Sequence, residues 1–474
     1  MIKENIKSLI SYFNVNKKEI VAYSFLAAIM FAVFADIYYL PFALLVAIIL
    51  YNYLNEKTFI FFSIIILISF TGEAVENLRD YFTILAIIGL TLFFIKKYGL
   101  NFNDYPKPPK LILRLWFLFI FTLAFSTIIN GFHFAGIDVL FKAIVFFSIC
   151  YFLYAFLEEK DNKFNHYYLI LSLFSASLIL SITVYYELIS AGFTVFLVEG
   201  FFARFAGVYG NFNTLALVIS LNVILSIIAI YTENVPGWVK KYFIPFYLIN
   251  NFFIIFLTNS RAAILALSVA LLFLFYHLNK KIILLFVGLV ASVLLLYLID
   301  PFTQSLIDAY IRLDTVSQRD YLWAAGIEVM KDYPIFGVGT EMFHHKFYTY
   351  VPTAGAYMFD LFRILQKPHP HNYSLWLITE NGILGWICAF AIFGFYFYMG
   401  FKLIKKLSIQ KDEPYYFSLG LTAVGILVFV RSFFEVEGIF SYGYISRDLP
   451  FWINYILLGY YYKKYFENQE AQSS

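Results

Sequence analysis

Apolar runs of about 20 residues recur along this chain from Ile20 to Tyr462, and they constrain its fold more than any other feature. A helix needs about that many mainly apolar residues to cross the hydrocarbon core of a bilayer. Helices can do this repeatedly because they satisfy their own backbone hydrogen bonds. Composition agrees: 61% of residues are hydrophobic and only 14% charged, against roughly 25% charged in soluble domains. The 39 Tyr and 58 Phe suit interfacial belts and lipid-facing surface, so no nucleic-acid partner is expected. The chain reads as an all-α polytopic membrane protein whose partners include membrane lipids.

The expected spans centre near residues 28, 47, 66, 88, 120, 147, 177, 222, 250, 270, 291, 393, 423 and 456, about fourteen in all. Lys3, Lys7, Lys17 and Lys18 precede a full-length first span with no small-residue cleavage site, so Met1 is expected to stay attached and cytoplasmic. Alternating from there, the inner turns hold Lys57, Lys96/Lys97, Lys107/Lys110, Lys240/Lys241, Lys280/Lys281, Lys405/Lys406 and Lys463/Lys464. Roughly two thirds of the 34 basic residues then lie inside, as the positive-inside rule requires. Both termini are placed in the cytoplasm. Cys150 and Cys388 fall in apolar runs and read as buried thiols.

Arginine breaks this pattern. Of nine Arg, only Arg114 is placed inside; Arg79, Arg204, Arg261, Arg312, Arg319, Arg363, Arg431 and Arg447 all fall outside. Topology needs only positive charge, which Lys supplies. Arg adds a rigid fork of donors matched to phosphate oxygens. Eight Arg on the outer face point to an anion held there; the plainer reading is helix-end snorkelling and loop ion pairs.

Two outer loops are long. Residues 188–212 are aromatic and glycine-containing around Arg204, which precedes Gly207, Gly210, Asn211 and Asn213. Residues 300–371 form the largest hydrophilic segment, too long for a turn and rich in aromatics, so a partly helical periplasmic loop is expected. Arg261 sits at membrane depth or just above, where an unpaired charge costs several kcal/mol. Asn259 and Ser260 place it at a helix start, where free N–H groups favour a phosphate. A structural partner for Arg261 is the alternative. Arg319 opens a helix with Trp323 at i+4, so the two share a face; a simple Arg–Trp stack and a ligand role are both open.

Four of the seven His lie in the large loop: His344, His345, His369 and His371. His371 immediately precedes a predicted helix, and His369 is bracketed by prolines that hold it extended. A neutral imidazole there can take a proton from an attacking hydroxyl; a His merely bonded to backbone at the helix start is the alternative. A metal site from these His is disfavoured, because adjacent His point apart and the spacing matches no common ligand frame.

The stretch KPHPHNYSLWLITENGILGW resembles the signature of bacterial O-antigen ligases and O-linking oligosaccharyltransferases: His, then Asn, Ser or Gln, nine residues, Gly, two residues, Gly. Here it is His371-Asn372, then Gly382 and Gly385. Further pieces are similar: Arg204 with Gly207 and Asn211, Ser260-Arg261 opening a helix, and Arg319, Trp323, Pro334, Gly337 and Gly339. The resemblance covers about residues 200–400; before 190 only a run of spans matches.

That resemblance implies a GT-C-like, inverting glycosyltransferase that needs neither metal nor cofactor. Its donor would be a glycan on undecaprenyl diphosphate, its active site periplasmic, and its acceptor a sugar hydroxyl of lipid A core. Arg204 and Arg261 would grip the diphosphate, with Arg319 as third candidate, and His371 would be the general base. His369, Asn372, Asn211 and Trp323 would line the substrate site. The chain divides into N-terminal spans (1–190), a core with the periplasmic loop (191–410) and C-terminal spans (411–474). A repeat-unit polymerase, whose acceptor is a lipid-linked glycan, shares the donor site; a protein O-oligosaccharyltransferase is a further alternative. A polysaccharide or lipid transporter is disfavoured, since no repeated halves are visible and the charges gather at one face.

Overall fold

The computed structural model describes residues 56–69, parts of 90–99, 105–159, 165–194, 202–311, 319–350, 368–436, 439–442 and 444–467. These residues form an all-helical membrane protein. In chain order they comprise α1 (Glu56–Ser69), α2 (Lys110–Ile129), α3 (Phe134–Leu157), α4 (Asn165–Ser190), α5 (Phe212–Tyr231), α6 (Ile244–Thr258), α7 (Arg261–Leu278) and α8 (Lys280–Ile299). There follow α9 (Pro301–Ile311), α10 (Arg319–Asp332), α11 (Phe343–Tyr350), α12 (Tyr373–Leu407), α13 (Glu413–Ser432) and α14 (Ile445–Tyr462).

Nine of the described helices are long and apolar enough to cross a membrane: α2 to α5, Val239–Thr258 with α6 inside it, α7, α8, α12 and α13. They match the expected spans from 120 to 291 and at 393 and 423. The span expected near 66 is the shorter helix α1. Near 456 lies α14, whose first turn carries Arg447 and Asp448 and whose side chains are nearly all buried. The spans expected near 28 and 47, and most of that near 88, lie outside the described residues, as do Arg79, Arg312 and Arg363.

Helix α5 is buried on almost every side and packs against α4, α6, α7 and α13, with α12 on the far side of α13. Glycines on α13 let neighbouring side chains close in: a Cβ at Gly425 would sit 2.2 Å from the Tyr396 ring, the close approach that small residues permit between membrane helices. Helix α8, by contrast, turns outward on all sides and suits lipid contact. Cys150 and Cys388 are free thiols.

Because the spans alternate in direction, each end of the bundle gathers its own residues. One end holds Lys110, Lys240, Lys241, Lys280, Lys405, Lys406 and Lys463, at helix starts and stops. There Lys463 pairs with Glu158 at 3.2 Å. The other end holds Arg204, Arg261, Arg431, Arg447 and His371. Over it folds the large loop: α10, α11 and the turn between them enclose a small core of Leu322, Ala325, Val329, Val338, Phe343 and Phe347.

Helix α12 is where that loop locks on. Its 35 residues would run about 52 Å if straight, but Gly382 breaks it with φ 65° and ψ −170°, a conformation open essentially to glycine alone. The turn Pro334–Thr340 lies along the break. Val338 and Gly339 donate to the carbonyls of Thr379 and Glu380 at 2.9 and 3.0 Å, and Ile383 donates to Pro334 at 2.9 Å. Ser126 of α2 fastens both strands of this contact through the carbonyls of Phe336 and Glu380, at 2.8 and 2.7 Å. A Cβ on Gly337 would lie 2.3 Å from the Glu380 backbone, so glycine is required on both sides.

Candidate active site

The functional candidates are held by helix ends and by two short connections. Arg204 lies in the connection from α4 to α5. Glu187 of α4 accepts from the N–H groups of Ala206 and Gly207 at 2.9 and 2.7 Å, and Phe205 N–H donates to Leu257 of α6 at 3.1 Å. Gly207, at φ 55°, lets this loop touch α4, since a Cβ there would come within 2.3 Å of Thr183 Oγ1. The Arg204 guanidinium stacks on Phe212, 3.1 Å from the ring centre. It donates to the carbonyls of Thr258 and Asn259, both at 3.1 Å, and to Asn213 Oδ1 at 3.3 Å. These three acceptors are neutral and fix the direction of the fork.

Asn259 ends α6 in the left-handed region (φ 47°), which asparagine tolerates. Ser260 then takes the N-cap position of α7 without a side-chain capping bond, and Arg261 is the exposed first residue of the helix. The Ser260 hydroxyl donates to Asn213 Oδ1 at 2.8 Å. Thus Asn213, in the first turn of α5, ties the Arg204 loop to the start of α7.

Asn213 also reaches the other way. Its Nδ2 donates to Glu435 Oε1 at 2.8 Å. Arg319 Nη2 donates to the same oxygen at 2.7 Å, and Glu435 Oε2 meets His371 Nδ1 at 2.9 Å. Glu435, in the connection after α13, is the buried hub of the cluster; its side chain is 3% exposed while that of His371 is 33% exposed. Burial alone would raise the Glu435 carboxyl, but the His371 bond and the charges of His371, Arg431 and Arg319 outweigh it and hold it at about 2. Arg431, fully buried, donates to the Asn213 carbonyl at 2.7 Å.

His371 has φ 46° and lies against His369, ring centres 4.0 Å apart and the planes tilted by 47°. Burial, then the electrostatic effect of His371, push His369 down to about 3, so it stays neutral. Trp323 donates its indole N–H to Pro370 between the two His at 2.7 Å. Among the described residues no group bonds to His371 Nε2, which leaves that nitrogen for a reacting partner. Asn372 caps α12 by accepting from Leu375 N–H at 3.0 Å, and Asn211 caps α5 by accepting from Asn213 and Thr214 at 2.9 and 3.2 Å. The described residues bring no three His, Cys, Asp or Glu side chains together as a metal-ligand set.

Arg204, Arg319 and His371 are therefore joined through Asn213 and Glu435, with Arg261 one residue from the same network. Sequence reasoning missed Glu435 and gave Asn213 no role beyond a polar neighbour. Arg431 and Glu435 sit four residues apart at the end of an apolar run, a spacing that could have marked them.

A family model described as O-antigen ligase matches residues 246–390. Residues 246–390 are thus similar to the O-antigen ligase family. The matched segment holds Arg261, Arg319, Trp323, His369, His371, Asn372 and the interlocked glycines, whereas Arg204 and Asn213 precede it and Glu435 follows it. The site is thus completed by residues on either side of the ligase segment. The chain is also similar to the exopolysaccharide production protein ExoQ of Rhizobium meliloti, 30% identical over 125 residues, 26% of this chain and 27% of that protein. The match spans only about a quarter of that relative's length.

Proposed function

We propose that this chain is an inner-membrane glycosyltransferase that moves a glycan from undecaprenyl diphosphate to a sugar hydroxyl, with its active site on the periplasmic side. The observation that carries this reading is the unbroken hydrogen-bonded chain from Arg204 through Asn213 and Glu435 to His371. It sets a phosphate-matched cation and a proton acceptor in one network at the bundle end opposite the lysines. Lysines mark the cytoplasmic end, and a donor whose polyprenyl tail stays in lipid needs a site at the opposite interface.

A lipid diphosphate leaves readily once its growing charge is met. Arg204, held by the carbonyls that end α6, and Arg261, the first residue of α7, stabilise that charge. His371 Nε2 takes the proton of the acceptor hydroxyl as the new C–O bond forms on the face opposite the leaving group. Asn211 and Asn372 keep their helix starts in register, and His369 and Trp323 shape the floor beneath the acceptor. No metal or cofactor is assigned a part.

The complete His371-Asn372 signature and the ligase description of the matched family favour lipid A core as acceptor. The similarity to an exopolysaccharide production protein favours a second reading, in which another lipid-linked glycan accepts and a polymer grows. Cells lacking the gene separate the two. A bare core with long polymer still on its carrier lipid marks a ligase; a core bearing one repeat marks a polymerase. Complementation with His371→Asn, which suits φ 46°, should restore neither product at normal protein level in the membrane. Full restoration would remove His371 from the chemistry.

A further inference from the structure

We propose that Glu435 is a positioning residue that keeps the His371 proton on Nδ1 and so leaves Nε2 bare toward the acceptor hydroxyl. The inference rests on His371 being the base. Glu435 has two oxygens and they are divided: Oε1 accepts from Arg319 at 2.7 Å and from Asn213 at 2.8 Å, while Oε2 faces His371 Nδ1 at 2.9 Å. A carboxylate only accepts, so the shared hydrogen belongs to Nδ1, and in a neutral imidazole Nε2 then carries the lone pair. The carboxylate cannot swing away, because an arginine and an amide from two other helices grip its far oxygen.

The charged and titratable groups facing this pair come from every element around it: His369 beside the ring, Arg319 from α10 and Arg431 from α13. In the transfer step the hydroxyl oxygen bonds to the anomeric carbon, the C–O bond to the diphosphate breaks, and its electron pair leaves with the phosphate. The hydroxyl proton ends on Nε2 and later passes to water. Glu435 faces the resulting imidazolium and stabilises it, as a buried carboxylate does behind a catalytic histidine. Arg319 thereby acts on the base through Glu435. Asn213 holds Arg204 on its oxygen and Glu435 on its nitrogen, so one amide sets the spacing between donor grip and base.

The test is the tautomer itself. The full-length protein, labelled with ¹⁵N-histidine and held in lipid nanodiscs, gives His371 signals identified by their loss in His371→Asn. A neutral His371 protonated on Nδ1 is the expected result; protonation on Nε2 in the native protein overturns the proposal. No substrate enters this measurement, so it stands or falls apart from whether the chain transfers glycans. Glu435→Gln presents an amide that can donate to Nδ1, which should switch the proton to Nε2 and lower transfer in the complementation assay by about 10²–10⁴-fold. An unchanged tautomer with full transfer in that variant also overturns it. If Glu435→Gln does not fold, the native spectrum still decides.

Discussion

Trp323 donates its indole N–H to the carbonyl of Pro370 at 2.7 Å, one residue before a histidine whose backbone is held at φ 46°. A non-glycine residue in that region persists only where its surroundings enforce it. The indole fastens the backbone from one side and Glu435 fastens the ring from the other. Trp323→Phe keeps the ring's bulk and removes the bond. A lost neutral hydrogen bond costs about 0.5–1.5 kcal/mol, so transfer should fall by up to about tenfold while the protein still folds. Equal activity in product analysis of complemented cells would show that Glu435 alone fixes His371.

The arginines should not tolerate lysine. Arg204 divides its donors among two carbonyls and an amide while lying over the Phe212 ring, a geometry that an ammonium cannot copy. Arg204→Lys and Arg261→Lys keep the charge and lose the fork. Each should lower transfer by roughly 10²-fold, the scale of one lost transition-state donor. Full activity in both would return these residues to ordinary interfacial anchoring.

The glycines of the signature carry a prediction about folding. A Cβ on Gly382 would lie 2.0 Å from the Ile335 carbonyl oxygen, and its φ of 65° with ψ −170° excludes side chains independently. Strain of about 1–3 kcal/mol adds to overpacking of about 1–3 kcal/mol. Gly382→Ala should therefore release the Pro334–Thr340 turn from α12 and lower the thermal midpoint of the nanodisc-held protein. A change no larger than at Gly394, where a Cβ would meet nothing within 4 Å, would contradict this.

The spans and the arginine-bearing end were legible because hydrophobic length and the Lys/Arg split are both linear properties of a sequence. Arg204, Arg261, Arg319 and His371 stood out for their chemistry, and three of them, Arg204, Arg319 and His371, lie in one hydrogen-bonded network. Glu435 did not stand out. An acidic residue in FEVEG reads as an ordinary connection charge, and only burial against Arg319, Arg431 and His371 distinguishes it. Asn211 and Asn372 were read for substrate, while the structure commits each side-chain oxygen to its own helix start. Sequence offers both roles for an asparagine after a turn, and the helix start decides which bond forms first.

Acid should expose the buried histidine. Burial, then the electrostatic effect of the neighbouring His371, lower His369 from 6.5 to about 3. Between those values the unfolded chain takes up a proton there that the folded chain refuses, so its contribution to stability is complete above about pH 6.5 and declines as pH falls toward 3. Glu435, lowered from 4.5 to about 2, loses its contribution only below about pH 4.5. The two windows are therefore separable. Comparing thermal unfolding of the nanodisc-held native protein with that of a His369 variant between pH 7 and pH 5 reads this histidine without Glu435. His369→Phe should make the drop in thermal midpoint over that interval smaller than in the native protein, because Phe stacks beside His371 with nothing to titrate. An identical drop in both proteins would mean that His369 is already charged in the fold.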